Sequence, residues 1–196
     1  MTTLRQKMVK LVYPFVFFIE KFGNKGKILT NTENKKSISS FYTLSVIANN
    51  EKEIFMSDFK GKKVIIVNVA SDCGYAAQYD DLQQLYKANK DKLIILGFPA
   101  NDFKNQEPGT DREIEQFCRM NYGITFPLFK KQTTLKPNQG PLFQWLSDES
   151  KNGWNNQQPV WNFCKYVVDE SGELVGFYGT AVSPLGVEVM EGLKLK

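Results

Sequence analysis

The chain has 196 residues, 42% of them hydrophobic and 23% charged, which fits one globular domain with a substantial core and excludes a disordered or fibrous chain. The net charge of +4 is spread along the sequence and forms no basic block, so no nucleic-acid partner is expected. There is no histidine, which excludes Ser-His-Asp and Cys-His catalysis and any imidazole zinc site; the three cysteines, Cys73, Cys118 and Cys164, make no CxxC pair and point to a reducing, cytoplasmic compartment.

Residues 1–38 read as an N-terminal extension. MTTLRQKMVK is basic and precedes the apolar run LVYPFVFFI. That run is too short to cross a bilayer, contains Pro14, and is followed by no small-residue cleavage site. Two readings stay open for residues 1–20: contact with a membrane surface, which is preferred, or a helix that packs on the domain or a partner. NTENKKS then reads as a polar linker, and the compact domain is placed at 39–196.

Within that domain, FYTLSVIANNEKEIF predicts a short hairpin turning at Asn49 and Asn50. KKVIIVNVA is a continuous apolar, β-branched run, as expected of a strand buried on both faces. AAQYDDLQQLYKANK predicts a helix with Tyr75, Tyr79, Leu82 and Tyr86 along its apolar side, and KLIILGFPA a second buried strand parallel to the first. After the loop NDFKNQEPG, Thr110 and Glu113 form a capping box that opens a helix bearing Ile114, Phe117 and Cys118 on one face, with Gly123 placed to end it. PLFQWLSDES predicts a short helix, WNFCKYVVD and ELVGFYG a hairpin about the turn ESG, and PLGVEVMEGLKLK a closing helix. The order of elements implies a mixed central sheet flanked by helices, an α/β thioredoxin-like architecture.

Cys73 lies where the first buried strand ends and a helix is about to begin. Ligands of open α/β sheets sit at such strand ends, and the free N–H groups and dipole of a helix start favour a thiolate. That placement makes Cys73 a candidate nucleophile, although the adjacent Asp72 carboxylate works the other way. If the two buried strands are neighbours, Gln106 faces the Cys73 turn and can aim its amide at the sulfur. Trp161 and Asn162 open the late hairpin and offer neutral N–H donors.

NVASDCGY, GFPANDFKNQEPG and WNFCKYVVD, in this order, resemble the glutathione peroxidase family over residues from about 39 to 192. The resemblance implies a thioredoxin-like fold and a peroxidatic cysteine at Cys73, supported by Gln106, Trp161 and Asn162. It implies a resolving cysteine at Cys118, as in members similar to thioredoxin-dependent peroxidases. Ala100-Asn101-Asp102-Phe103 stands where the family often has Cys-Asn-Gln-Phe, which leaves Cys118 or, less favoured, Cys164 as the partner. The residues alone also allow Cys118 to be a core position on its helix face. The implied activity is reduction of hydrogen peroxide and organic or lipid hydroperoxides through a Cys73 sulfenic acid and a disulfide, recycled by a thioredoxin-like reductant or glutathione. A peroxide sensor that passes the disulfide to a partner protein is the alternative. No cofactor or metal is expected, and the short loop before Trp161 implies a monomer. The two sulfurs are expected to lie apart in the reduced chain, with the helix around Cys118 unwinding on oxidation, because a disulfide needs Cα atoms within about 7 Å.

Overall fold

The computed structural model describes residues 23–195, so the basic and apolar segment over residues 1–20 lies outside the described residues. Among the described residues there are seven strands: β1 (Ile28–Thr30), β2 (Ser45–Ile47), β3 (Glu53–Phe55), β4 (Lys63–Val69), β5 (Leu93–Pro99), β6 (Lys165–Val168) and β7 (Leu174–Tyr178). Five α-helices accompany them within the same residues: α1 (Gln78–Ala88), α2 (Asp111–Tyr122), α3 (Pro141–Leu146), α4 (Glu149–Asn152) and α5 (Val187–Leu193). The main sheet has five strands in the order β1-β7-β6-β4-β5, and β2 pairs with β3 as a separate hairpin.

The two apolar runs form the centre. β4 and β5 pair in parallel, from Lys63 opposite Leu93 to Val69 opposite Pro99, with every residue of both strands buried. All other neighbours in the main sheet are antiparallel. Alternation along the strands then sorts side chains to two faces. Ile65, Val67 and Val69 pack with Tyr79, Leu82 and Leu85 of α1, Ile114 and Cys118 of α2, and Val189 of α5. Val64, Ile66, Leu96 and Phe98 pack on the other face with Leu142, Phe143 and Trp145 of α3 and with Phe41 and Val46. The result is the expected mixed α/β sheet between helices.

The capping box at Thr110 is formed in both directions, and Gly123 ends α2 in the left-handed conformation at φ 59°, which glycine adopts without a Cβ clash. The turn of the late hairpin uses Gly172 at φ 86° for the same reason.

The sheet reaches further towards the N-terminus than the linker reading of residues 31–37 anticipates. β1 runs antiparallel to β7, with Ile28 opposite Tyr178 and Thr30 opposite Gly176. Ser37 donates from its N–H and its hydroxyl to Glu173, at 2.8 and 2.7 Å, so this polar stretch is pinned to the late hairpin. A three-residue strand carries too little alternation to be recognised by period, and its stability comes from the backbone groups that β7 leaves unpaired.

Lys165 is fully buried on the α1 side of β6. Its Nζ donates to Gln78 Oε1 (3.1 Å) and to the carbonyls of Gly179 (2.9 Å) and Val182 (2.5 Å), while Gln78 Nε2 donates to the Thr180 carbonyl (2.6 Å). This buried network ties the first residue of α1 to the loop after β7.

Candidate active site around Cys73

β4 ends at Val69, and the chain turns through Ser71 and Asp72 to Cys73. Short turns follow, with Ala76 N–H donating to the Cys73 carbonyl (3.0 Å) and Gln78 N–H to the Tyr75 carbonyl (2.9 Å), before α1 begins. Cys73 therefore sits one turn ahead of the helix, whose N-cap is Ala77. The N–H of Tyr75 donates to Sγ at 3.4 Å. A sulfur that accepts a backbone N–H from two residues on is held as a helix-start anion would be. Cys73 is only 3% exposed, because Tyr75 and Ala76 beside it turn inward and join the α1-side core.

The structure brings Gln106 and Asn162 together and joins them to this turn. Asp72 N–H donates to the Gln106 carbonyl (3.0 Å), which locks the loop after β5 against the turn after β4. Asn162 Nδ2 donates to Gln106 Oε1 (3.0 Å). That bond occupies the acceptor end of the Gln106 amide and leaves its Nε2 as the group able to serve another acceptor. Both partners are presented by left-handed backbone: Lys104 and Asn105, at φ 51° and 50°, precede Gln106, and Phe163, at φ 64°, follows Asn162. Non-glycine residues in this region cost about 1 kcal/mol or more each and persist only where the surroundings over-determine them.

Asn68 supplies much of that determination. Fully buried, it donates from Nδ2 to the Trp161 carbonyl (2.9 Å) and accepts from Cys164 N–H at Oδ1 (3.0 Å), while Phe163 N–H donates to its backbone carbonyl (2.6 Å). The Trp161-Asn162 turn is thus fastened to the strand that delivers Cys73. The Trp161 indole lies 5.4 Å from the Phe103 ring, with the ammonium groups of Lys25 and Lys104 at 4.7 and 5.6 Å.

Glu107 is 1% exposed and accepts from the N–H and hydroxyl of Ser71, at 2.9 and 3.2 Å. Burial raises its carboxyl to about 7, opposed by those two hydrogen bonds and by Lys131.

The three thiols are free. Cys118 lies within α2, fully buried in the same apolar cluster as Cys73, whereas Cys164 belongs to the cluster on the opposite sheet face, where its sulfur lies 3.5 Å from the Thr180 hydroxyl. The sheet separates Cys164 from Cys73 and leaves Cys118 on the same side. Burial pushes the Cys118 thiol up to about 12, with the Tyr79 hydroxyl beside it pulling down.

The geometry assembles Cys73, Gln106 and Asn162 and places Trp161 beside them. Three supporting residues, Asn68, Glu107 and Lys25, escape a reading of the sequence. Asn68 had a usable signal, a lone amide inside an apolar strand; Glu107 and Lys25 had none, since an acid in a polar loop and a lysine in an extension read as surface.

The glutathione peroxidase family model matches residues 41–147. The chain belongs to the glutathione peroxidase family. Members with which it shares most of its length include the glutathione peroxidase homolog BsaA of Bacillus subtilis, 41% identical over 76% of this chain and 94% of that protein. The glutathione peroxidase-like peroxiredoxin HYR1 of Saccharomyces cerevisiae is 40% identical over 75% and 91% of the two chains. Among solved structures, the apo form of Trgpx matches with a TM-score of 0.63 at 31% identity, covering 81% of this chain and 98% of the other. A DsbF homologue from Corynebacterium diphtheriae, at TM-score 0.59 and 15% identity, covering 88% of this chain and 95% of that one, shares the thioredoxin-like fold. In this glutathione peroxidase family member, β1 and Lys25 lie before the segment that the family model matches.

Proposed function

We propose that Cys73 is the peroxidatic residue of a thiol peroxidase that reduces hydrogen peroxide and organic or lipid hydroperoxides, with Cys118 as its resolving partner. In the first step the Cys73 thiolate attacks the terminal peroxide oxygen. The S–O bond forms as the O–O bond breaks, and the leaving oxygen departs with a proton as water or alcohol. Gln106 Nε2 and the Trp161 indole N–H are the neutral donors available to the developing charge, and in a site without imidazole such donors carry the stabilisation. Asn162 acts by holding Gln106. In the second step the Cys118 sulfur attacks the Cys73 sulfenic acid, forming the disulfide and releasing water. A dithiol reductant of the thioredoxin type, or glutathione, returns both thiols and leaves oxidised itself.

The observation that supports this reading is the bonded set Cys73 turn–Gln106–Asn162, with Cys118 in the same buried cluster. The slight exposure of Cys73 suits a slim –OOH terminus. The test is a mass map of all three cysteines before and after one equivalent of peroxide. The expected product is a Cys73–Cys118 disulfide with Cys164 untouched, and Cys118→Ser leaves a Cys73 sulfenic acid. A Cys73–Cys164 bond, or no change at Cys73, refutes the assignment.

The working form proposed is a cytoplasmic monomer whose residues 1–20 rest on a membrane surface, where lipid hydroperoxides are made. No helix among the described residues is long and apolar enough to cross a membrane. Removing residues 1–22 leaves β1 and Lys25 in place and is expected to abolish vesicle binding while hydrogen peroxide turnover persists. Equal vesicle binding by both forms refutes the anchor.

A further inference from the structure

We propose that Glu107 is a positioning residue for both redox sulfurs: its buried carboxylate clasps the Cys73 turn to the foot of α2, and its charge restrains Cys118 until that helix opens. The inference rests on the resolving role proposed for Cys118.

The clasp is visible in the hydrogen bonds. Glu107 Oε2 takes both donors of Ser71, two residues before Cys73. Three residues on, Thr110 caps α2, the helix that carries Cys118. The intervening segment is pinned from below by Lys131, whose Nζ donates to the carbonyls of Glu107 (3.3 Å) and Gly109 (2.6 Å) and whose N–H donates to Asp111 Oδ1 (2.7 Å). Asn101 Oδ1 accepts the Glu107 N–H (2.9 Å). Glu107 therefore stands at the junction between the turn bearing one sulfur and the helix bearing the other.

The electrostatics point the same way. The groups that face the Glu107 carboxyl are Ser71, Lys131 and Asp72, of which Lys131 favours the charge and Asp72 opposes it. The groups that face Cys118 are Tyr79, Glu107, Arg119, Glu115 and Tyr122; Glu107 and Glu115 raise the thiol, and Arg119 and Tyr79 lower it. Glu107 also raises the Tyr79 hydroxyl beside Cys118. A buried carboxylate that titrates at about 7 is charged at the upper end of the physiological range and neutral at the lower end. In the charged state the clasp is tight and the carboxylate adds to the burial that keeps Cys118 protonated. Once the carboxyl is neutral, its hydrogen bonds to Ser71 weaken and the like-charge penalty on the Cys118 thiolate disappears.

The test measures alkylation of Cys118 by iodoacetamide between pH 6 and 9 in a Cys73→Ser, Cys164→Ser background, comparing Glu107 with E107Q and E107D. E107Q is expected to react severalfold faster at pH 8, because the like charge that disfavours the Cys118 thiolate is gone. The profile with Glu107 is expected to break near pH 7; E107Q lacks that break and E107D keeps one. Equal rates at pH 8, or the same break in E107Q, overturn the proposal. Melting curves for each variant identify one that has not folded, and E107D then decides through its break alone. With both redox partners of Cys118 removed, this readout stands apart from the resolving role, which fails separately if the unmodified chain forms no Cys73–Cys118 disulfide.

Discussion

The hydrogen bond from Asn162 to Gln106 makes a sharp kinetic prediction. Because Asn162 Nδ2 occupies Gln106 Oε1 at 3.0 Å, it decides which end of the Gln106 amide is presented. Gln106→Ala removes a donor aimed at developing charge and is expected to slow the first step by about 3 kcal/mol, two to three orders of magnitude. Asn162→Ala removes one neutral hydrogen bond that orients that donor, worth about 1 kcal/mol or about fivefold in rate. The fold loses little, since Asn162 Oδ1 is buried without a partner among the described residues. If Asn162 works through Gln106, the double variant reacts no slower than Gln106→Ala alone. The assay is single-turnover formation of the Cys73 sulfenic acid in a Cys118→Ser background, which isolates the first step from resolution. A double variant slower than Gln106→Ala by the full factor seen for Asn162→Ala would falsify the positioning role, because multiplying factors mean independent action.

Two further outcomes follow from the packing. Thr110→Ala removes the side-chain half of the capping box, leaving the residue-110 N–H bond to Glu113, and is expected to cost about 1 kcal/mol of stability. If α2 must open for resolution, the same change speeds disulfide formation; a lower melting temperature with an unchanged disulfide rate contradicts the need for opening. Burial lowers the Lys165 ammonium to about 7, so between pH 7 and 9 the unfolded chain binds more protons than the folded one. Stability is then expected to rise with pH across that window; above the ordinary cysteine value the raised Cys118 thiol offsets the rise. Urea midpoints at pH 7 and 9 measure the rise, and Lys165→Met is expected to flatten it; an equal slope in both proteins assigns it elsewhere.

The dimensions of β4 and β5 were legible because each is a continuous apolar run with no polar face to hide, and α2 because its capping box and Gly123 spell both ends. Gln106 was legible through its position after the second strand and the family resemblance of its segment, and its bond to Asn162 not at all: the two are far apart in sequence, and amide side chains carry no periodic signal. β1 was missed because three residues give no period to read.

By itself, the sequence determined the chemistry on offer: one thiol at a strand end, no imidazole, and neutral amide and indole donors in recognisable segments. Local pattern sufficed for that, since strand runs, caps and turn residues act over a few neighbours. Only the tertiary structure decided which cysteine shares a layer with Cys73, because α2 packs Cys118 on that face of the sheet while Cys164 lies in the cluster on the other. It also decided that Glu107 is a buried clasp and Lys25 part of the Trp161 surroundings, since burial and long-range pairing arise only when distant segments close on one another.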